Sequence, residues 1–171
     1  MCPPHSNEQP LTKGLCPNHY QLSLKLNSMN KQNSKDVKDD GLGELIDILD
    51  AIFSKYVRLK YADENGFVRC FVTGYQFHWT ALDAGHFISR SCMFLRWDLR
   101  NVKPQAIISN RFRDGDISSY AHALEKESPG IVDILTEEAN TIYKYSRHEL
   151  NELIRDYRDK VNGLLKKINN G

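Results

Sequence analysis

The chain has 171 residues, of which 40% are hydrophobic and 26% are charged, a composition typical of a globular protein with its own core. No stretch approaches the roughly 18 consecutive apolar residues of a membrane span, and the first residues lack the basic-then-apolar pattern of a secretory signal. With only 4 Cys, a disulfide scaffold is excluded, and we expect a protein with reduced thiols that stays inside a cell and makes no membrane contact.

The net charge of +1 hides a basic middle segment. Residues 54–113 carry 10 basic and 4 acidic side chains, and 7 of the 10 bases are Arg. Arginine suits two-point contact with phosphate, so this segment is where an anionic partner would bind. The alternative is a solvated surface that happens to be basic.

The sequence divides into a tail and a domain. Residues 1–41 are rich in Pro, Asn, Ser and Lys, which predicts a disordered tail and linker, and residues 42–171 form the domain. The tail also presents four potential zinc ligands, although their spacing matches no common zinc finger and prolines beside Cys also occur in plain coil. These ligands are Cys2, His5, Cys16 and His19.

The domain begins with an amphipathic pattern. Apolar residues recur at helical spacing from Leu42 to near Tyr61, which predicts a helix with Asp39 or Asp40 as N-cap. Residues 67–88 are rich in β-branched and aromatic residues interrupted by glycine turns, so they predict a small hairpin unit.

The rest of the chain predicts helices. A short one begins near Gln105 and ends about Arg113, and a second spans Ile117 to Lys126. Ser128 before Pro129 predicts an N-cap for a helix running to about Tyr145. Ser146 with Glu149 forms a capping-box pattern that opens a C-terminal helix.

Residues 83–112 contain the pattern that points to chemistry. His86 ends a predicted strand, Asn101 follows about 15 residues later in a loop, and Asn110 lies on the next short helix. This is the order of an HNH, or ββα-metal, nuclease site. Phosphodiester hydrolysis needs a base, for which imidazole is suited at neutral pH, and a divalent cation, for which amide and carboxylate oxygens are suitable ligands. By spacing alone the arrangement is also compatible with chance.

Longer sequence motifs are more specific than this spacing. The chain resembles the phage recombination protein NinG (Rap) family over about residues 45–165, through the segments LDAIFSKYVRLKYADENGFVRCFVTG, DAGHFISR, RWDLRNV and SNRF, with Tyr120 downstream. The resemblance implies an α+β fold, in which a small ββα-metal (HNH-like) hairpin-plus-helix unit is embedded between an N-terminal helix and a C-terminal helical region. It also implies an endonuclease acting on branched DNA during recombination, in the cytoplasm of the bacterial host of a phage or prophage.

The resemblance assigns roles to individual residues. His86 would be the general base, Asn110 a ligand of a divalent cation, Mg²⁺ or alternatively Mn²⁺, and Asn101 a clamp that holds the loop by backbone hydrogen bonds. Many HNH sites have a second metal ligand just before the base, but here that residue is Gly85. Asp83 is the substitute candidate, although a turn-capping carboxylate is an equal alternative.

Basic side chains flank these positions and predict phosphate contacts to a branched or junction DNA. They are Arg90, Arg96, Arg100, Arg111 and Arg113. Trp79, Trp97 and His78 could stack on unpaired bases, but core positions are favoured for the two tryptophans. Whether the protein acts as a homodimer, as junction enzymes often must, is left open.

The chain departs from the family at the positions of a structural zinc. The resemblance implies two Cys pairs, but here the four positions are Cys70, Thr73, Ala106 and Ser109. One thiolate cannot complete a tetrahedral site, so we predict no structural zinc.

Three hypotheses follow from these patterns. The first is a metal-dependent, structure-selective DNA endonuclease, favoured because His86 and Asn110 are present. The second is a non-catalytic DNA-binding protein of the same fold, suggested by the missing Cys ligands. The third is a helical protein that binds a partner through its acidic C-terminal helices, which leaves the middle segment unexplained.

Overall fold

The computed structural model describes residues 41–107 and 117–169. In these residues four α-helices surround two pairs of antiparallel strands, and the α+β prediction is confirmed. The helices are α1 (Leu42–Lys60), α2 (Ile117–Glu127), α3 (Ile131–Glu138) and α4 (Arg147–Asn169). The strand pairs are β1 (Phe67–Arg69) with β2 (Gln76–His78), and β3 (Leu82–His86) with β4 (Val102–Ala106), and a 3-10 turn at Trp79–Ala81 joins β2 to β3.

Helices α1 and α4 form the main core. Their apolar faces meet at helical spacing, so that the Phe53 ring packs edge-on against the Tyr157 ring at 5.0 Å, and each fully buried large side chain contributes roughly 1.5–3 kcal/mol. Helix α1 is capped by Gly41 at a φ of 115°, so neither Asp39 nor Asp40 is the N-cap. The buried residues of this core are Leu49, Phe53, Val57, Ala84, Trp97, Val102, Leu150, Ile154 and Tyr157.

Strands β3 and β4 build the frame of the candidate site. Their register pairs Leu82 with Ala106 and His86 with Val102. The predicted helix start near Gln105 is shifted, because Gln105 is buried inside β4 and the first helical residue in this region is Ile107, two positions later. Pairing with β3 outweighs the helix signal after Pro104, and each strand of a two-stranded sheet is an edge strand, where proline is tolerated.

Helix α3 differs from its prediction at both ends. It begins after Gly130, which has a φ of 83°, and ends at Glu138, so Ser128 is not its N-cap and it does not reach Tyr145. The carboxylate of Glu125 accepts hydrogen bonds from the backbone N–H groups of Gly130 and Val132. A side chain of α2 thus supplies the cap that Ser128 was expected to provide.

The segment between α3 and α4 is irregular because its aromatic side chains reach back to the core. The ring of Tyr143 lies 6.1 Å from that of Phe94, and the ring of Tyr145 lies 5.0 Å from that of Trp97. The predicted capping box is confirmed, since Glu149 N–H donates to Ser146 Oγ and Ser146 N–H donates to the Glu149 carboxylate.

The predicted tail at residues 1–41, with its Cys and His set, lies outside the described residues except for Gly41. Among the described helices, we find none that is long and apolar enough to span a lipid bilayer.

Candidate catalytic site around His86

Strand β3 and the loop after it position His86. The loop, residues 87–101, leaves β3 at Phe87 and returns to β4 through Asn101, whose side chain is fully buried. Asn101 Oδ1 accepts the N–H of Ile88 at 2.6 Å, and its Nδ2 donates to the carbonyls of Ile88 and Leu95, both at 3.0 Å. One amide therefore holds both ends and the middle of the loop, as a clamp would.

Tyr120 of α2 fastens the same frame from the other side. Its buried hydroxyl donates to the carbonyl of Gly85 at 2.9 Å and lies 3.3 Å from that of Asn101. Burial raises the pKa of Tyr120 far above its ordinary value, so the hydroxyl stays protonated and remains a donor.

The imidazole of His86 faces two backbone carbonyls. Nε2 lies 2.9 Å from the Arg96 oxygen and Nδ1 lies 3.2 Å from the Ala84 oxygen. A neutral imidazole has one N–H, so it donates to only one carbonyl and keeps a lone pair on the other nitrogen. Burial lowers the pKa of His86. The two carbonyls raise it, because they favour the charged form, but burial outweighs them. His86 is therefore neutral near pH 7 and able to take up a proton.

Asp50 of α1 is a component of the site that the sequence analysis missed. Its carboxylate accepts two hydrogen bonds from the Arg96 guanidinium, at 3.0 and 2.7 Å, and one from Trp97 Nε1 at 2.8 Å. Burial raises the pKa of Asp50, but these donors outweigh it and the net pKa is lowered. The sequence contains a sign of this role, because an acidic residue on the apolar side of a helix needs a partner when it is buried. Asp50 is such a residue, four positions after Ile46 and three before Phe53.

Two of the predicted DNA-binding arginines are engaged inside the protein. Arg96 binds Asp50, and Arg100 forms ion pairs with Asp98 at 2.6 Å and with Glu138 at 2.7 Å. Burial lowers the pKa of Arg100, but the two carboxylates outweigh it and the net pKa is raised. These contacts occupy both guanidinium groups, so we leave Arg96 and Arg100 out of the DNA-binding surface.

Arg90 is placed differently. Its side chain is exposed, and within the described part of the chain no hydrogen bond or ion pair engages its guanidinium. Its positive charge lowers the pKa values of both His86 and Asp50. Arg90 is therefore an exposed cation that is close enough to the imidazole to act on it electrostatically.

The structure does not bring Asp83 to His86. Side chains alternate along a strand, and β3 pairs regularly with β4, so Asp83 and His86 point to opposite faces. The negative charge of Asp83 acts on Arg58 of α1 and raises the pKa of that side chain. Burial outweighs this effect, so the net pKa of Arg58 is lowered. Asp83 thus does not form a metal site with His86.

The described residues contain no cluster of three or more side chains of the usual metal-ligand types. Within residues 41–107 and 117–169, no three His, Cys, Asp or Glu side chains converge on a point where a metal ion could bind. The predicted ligand Asn110 and the predicted phosphate contacts Arg111 and Arg113 lie outside these residues. Position 85 cannot supply a ligand either, since a Cβ there would come within 2.2 Å of Gln105 Oε1.

Comparison with known proteins decides the family. The family model described as Bacteriophage Lambda NinG protein matches residues 23–167, most of the chain. The chain belongs to the NinG family. The match extends beyond the segments that carried the resemblance and includes the whole His86 site. Comparison with curated proteins and with solved structures found no match.

In this NinG chain, three of the four positions implied for a structural zinc can be located. Cys70 is 1% exposed, and its Sγ accepts the N–H of Ala106 at 3.3 Å. Burial raises the pKa of the Cys70 thiol, but hydrogen bonds from Thr73, Ala106 and Val72 outweigh it and the net pKa is lowered. Thr73 and Ala106 therefore converge on the single thiol, while Ser109 lies outside the described residues.

The aromatic side chains considered for base stacking separate into two groups. Trp97 is 5% exposed and belongs to the core, as favoured. Trp79 is half-buried, packs against the cluster around Cys70, and has Lys55 and Arg58 over its ring. His78 is exposed, with Nδ1 2.8 Å from the Thr80 hydroxyl.

Proposed function

We propose that this NinG-family chain is a structure-selective DNA endonuclease that hydrolyses phosphodiester bonds in branched recombination intermediates, in the cytoplasm of a bacterial host. Membership of this bacteriophage family supports a role in recombination. The observation that carries the nuclease proposal is the neutral imidazole of His86. It lies at the start of the loop held by Asn101, is fixed by the Arg96 carbonyl, and is close enough to the exposed guanidinium of Arg90 to feel its charge.

His86 would act as the general base. With Nε2–H donating to the Arg96 carbonyl at 2.9 Å, Nδ1 carries the lone pair. For Nδ1 to take a proton from water, the ring would have to turn this nitrogen from the Ala84 carbonyl, 3.2 Å away, toward the water. The resulting hydroxide attacks phosphorus and the P–O bond to the leaving strand breaks.

Arg90 would bind the phosphate next to that attack. Its guanidinium is exposed and close enough to influence the pKa of His86, so a phosphate paired with Arg90 would lie near the base. Asn101 is a positioning residue in this scheme, because its three hydrogen bonds fix the loop that carries Arg90 and the Arg96 carbonyl.

A divalent cation, Mg²⁺ or Mn²⁺, remains part of the proposal. When bound, it would stabilise the negative charge on the phosphate and the leaving oxygen. Asn110 is the ligand that the family pattern assigns to it. Asp83 is no longer included in the proposed ligand set, because it lies on the face opposite His86.

A non-catalytic DNA-binding protein is the second candidate. One observation favours it: both ring nitrogens of His86 lie near backbone carbonyls, which is also how a purely structural histidine is held. In that case the loop and Arg90 would bind branched DNA without cleaving it.

Cleavage assays separate the two candidates. Purified protein is incubated with labelled linear, fork, flap and four-way DNA in Mg²⁺, Mn²⁺ or EDTA. We expect cleavage of branched substrates that requires a divalent cation and falls by on the order of 10² to 10⁴ in His86→Ala, the usual contribution of a general base. Fork affinity in EDTA should be unchanged by this substitution.

The matched control is His122→Ala, which removes an exposed histidine of α2. It should cut like the wild type. Wild-type protein that binds forks but cuts none of the substrates in either cation would establish the non-catalytic binder. Normal cleavage by His86→Ala would move the base to another residue.

A further inference from the structure

A cleft lies beside the hairpin formed by β1 and β2. This aromatic cleft has a volume of about 360 Å³, within the range of about 300–1,000 Å³ typical of small-ligand pockets. It is lined by Tyr61, Asp63, Phe67, Arg69, Phe71, Gln76, Lys103, Pro104 and Glu127. None of these residues belongs to the His86 site.

Two aromatic rings of the cleft are partly exposed. Tyr61 and Phe67 are each 43% exposed, although side chains of this size usually gain from full burial. The position of Phe67 is fixed, because Asp63 Oδ1 accepts its backbone N–H at 2.8 Å. The cleft therefore presents preformed apolar faces to solvent.

The cleft also has cations at its base and rim. Lys103, with a side chain only 7% exposed, pairs with Glu127 and lies 5.2 Å from the Phe71 ring centroid. Arg69 is exposed and uses one nitrogen on the Gly74 carbonyl, which leaves further N–H donors available.

The lining carries two carboxylates, Asp63 and Glu127, and two cations, Arg69 and Lys103, so the additional charge of Lys60 beside it leaves one excess cation, which favours a modestly anionic ligand. Asp63 is occupied by hydrogen bonds from Asn65 and Phe67, and Glu127 is paired with Lys103. Lys60, 5.2 Å from the Tyr61 ring, adds a positive charge beside the cleft. Burial raises the pKa of Tyr61, so its hydroxyl carries no charge that would repel an anion.

We propose that the aromatic cleft binds one unpaired nucleotide of a branched DNA, with the base stacked on Tyr61 or Phe67 and the phosphate on Arg69. Exposed aromatic rings combined with cations are the features by which proteins hold single strands without sequence preference. This inference rests on the proposed function for its choice of DNA as ligand. It assigns the recognition of unpaired strand to a place separate from cleavage.

The cleft and the His86 site share strand β4. Lys103 lines the cleft, and its strand neighbour Val102 pairs with His86. Because side chains alternate, Lys103 lies on the face opposite Val102. The cleft therefore lies on the other face of this strand from His86, so the nucleotide bound there is not the one whose phosphate is hydrolysed.

The test measures binding without cleavage. Affinity for single-stranded dT10, and for a fork with 2-aminopurine in its unpaired arm, is measured in EDTA. We expect Tyr61→Ala and Phe67→Ala to weaken dT10 binding by about fivefold to a hundredfold, the loss of one base–aromatic stack. Tyr61→Phe and Phe67→Tyr keep an aromatic ring and should bind like the wild type.

Tyr75→Ala is the matched control, because Tyr75 is an exposed aromatic residue of the same hairpin region, 72% exposed, that does not line the cleft. Circular dichroism excludes variants that fail to fold. Wild-type affinity in both folded alanine variants, or an equal loss in Tyr75→Ala, would overturn the cleft proposal. Loss of dT10 binding in a protein that cuts no DNA would support the cleft and reject only the nuclease function.

Discussion

Asp50 and Arg96 form a two-point ion pair that ties helix α1 to the loop after β3, across 46 positions of the chain. The backbone carbonyl of the same Arg96 lies 2.9 Å from His86 Nε2. The orientation of the candidate base is thus connected, through one arginine, to the helix that forms the main core.

Replacing Asp50 by Ala should lower stability. The substitution leaves the partly buried Arg96 guanidinium and Trp97 Nε1 without their acceptor, at a cost of about 1–3 kcal/mol in the free energy of unfolding. Urea denaturation measures the change. Asp159→Ala, which removes an exposed carboxylate from α4, is the control and should stay within about 0.5 kcal/mol of the wild type.

The pH dependence of this loss tests its cause. Because the pKa of Asp50 is lower in the folded state than its ordinary value of 3.8, its stabilisation is fully present above that value and disappears as the pH falls through the folded pKa. The difference between wild type and Asp50→Ala should be equal at pH 7 and pH 5 and should shrink below about pH 3.8. A difference that does not change with pH would exclude the ion pair as its source.

Asn101→Ala should be strongly destabilising. It removes three hydrogen bonds from a fully buried position and leaves the Ile88 N–H without its acceptor, which predicts a loss of about 2–4 kcal/mol. Amide hydrogen exchange at Ile88 should become faster than in the wild type. Exposed Asn162 of α4 provides the control, and an Ile88 amide that stays protected in Asn101→Ala would contradict the clamp.

The rate of DNA cleavage should depend on pH through His86. A general base acts in its neutral form, so activity falls as the pH decreases through the pKa of His86. Burial keeps that pKa below its ordinary value of 6.5, which places the acid limb of kcat/KM below pH 6.5. A profile in Mn²⁺ with its midpoint well above this value would assign the limb to another group.

Arg90 and Arg100 should differ in their effect on DNA binding. Arg90→Ala removes a free cation, so the slope of log Kd against log salt concentration should fall by about one. Arg100 is bound to Asp98 and Glu138, so Arg100→Ala should keep the slope and lower the thermal stability instead. If Arg100→Ala flattens the slope as much as Arg90→Ala does, the ion pairs open when DNA binds.

Metal analysis should find well under one equivalent of zinc in the purified protein. Cys70 alone retains the ligand type among Cys70, Thr73, Ala106 and Ser109, and one thiolate cannot hold a tetrahedral site. A variant with Cys at the other three positions should bind Co²⁺ with thiolate charge-transfer absorption, because Thr73 and Ala106 already contact Cys70. Stoichiometric, tightly held zinc in the wild type would refute the prediction.

Local patterns in the sequence were sufficient for several elements. The apolar spacing of α1 and the Ser146–Glu149 capping box predicted helices that the structure contains, since both signals act within one or two turns of backbone. The order of His86 and Asn101 likewise predicted a strand end and a loop residue. Both lie in motifs of the family resemblance, within 16 consecutive positions of the chain.

Only the tertiary structure decided how the charged groups are used. Arg96 and Arg100 appear equivalent to Arg90 along the chain, yet Asp50 and Glu138, distant in sequence, engage two of the three. Strand pairing turned Gln105 from a predicted helix into β4, and strand alternation separated Asp83 from His86. Ion pairs and strand faces depend on partners many residues away, and a linear pattern carries no record of those partners.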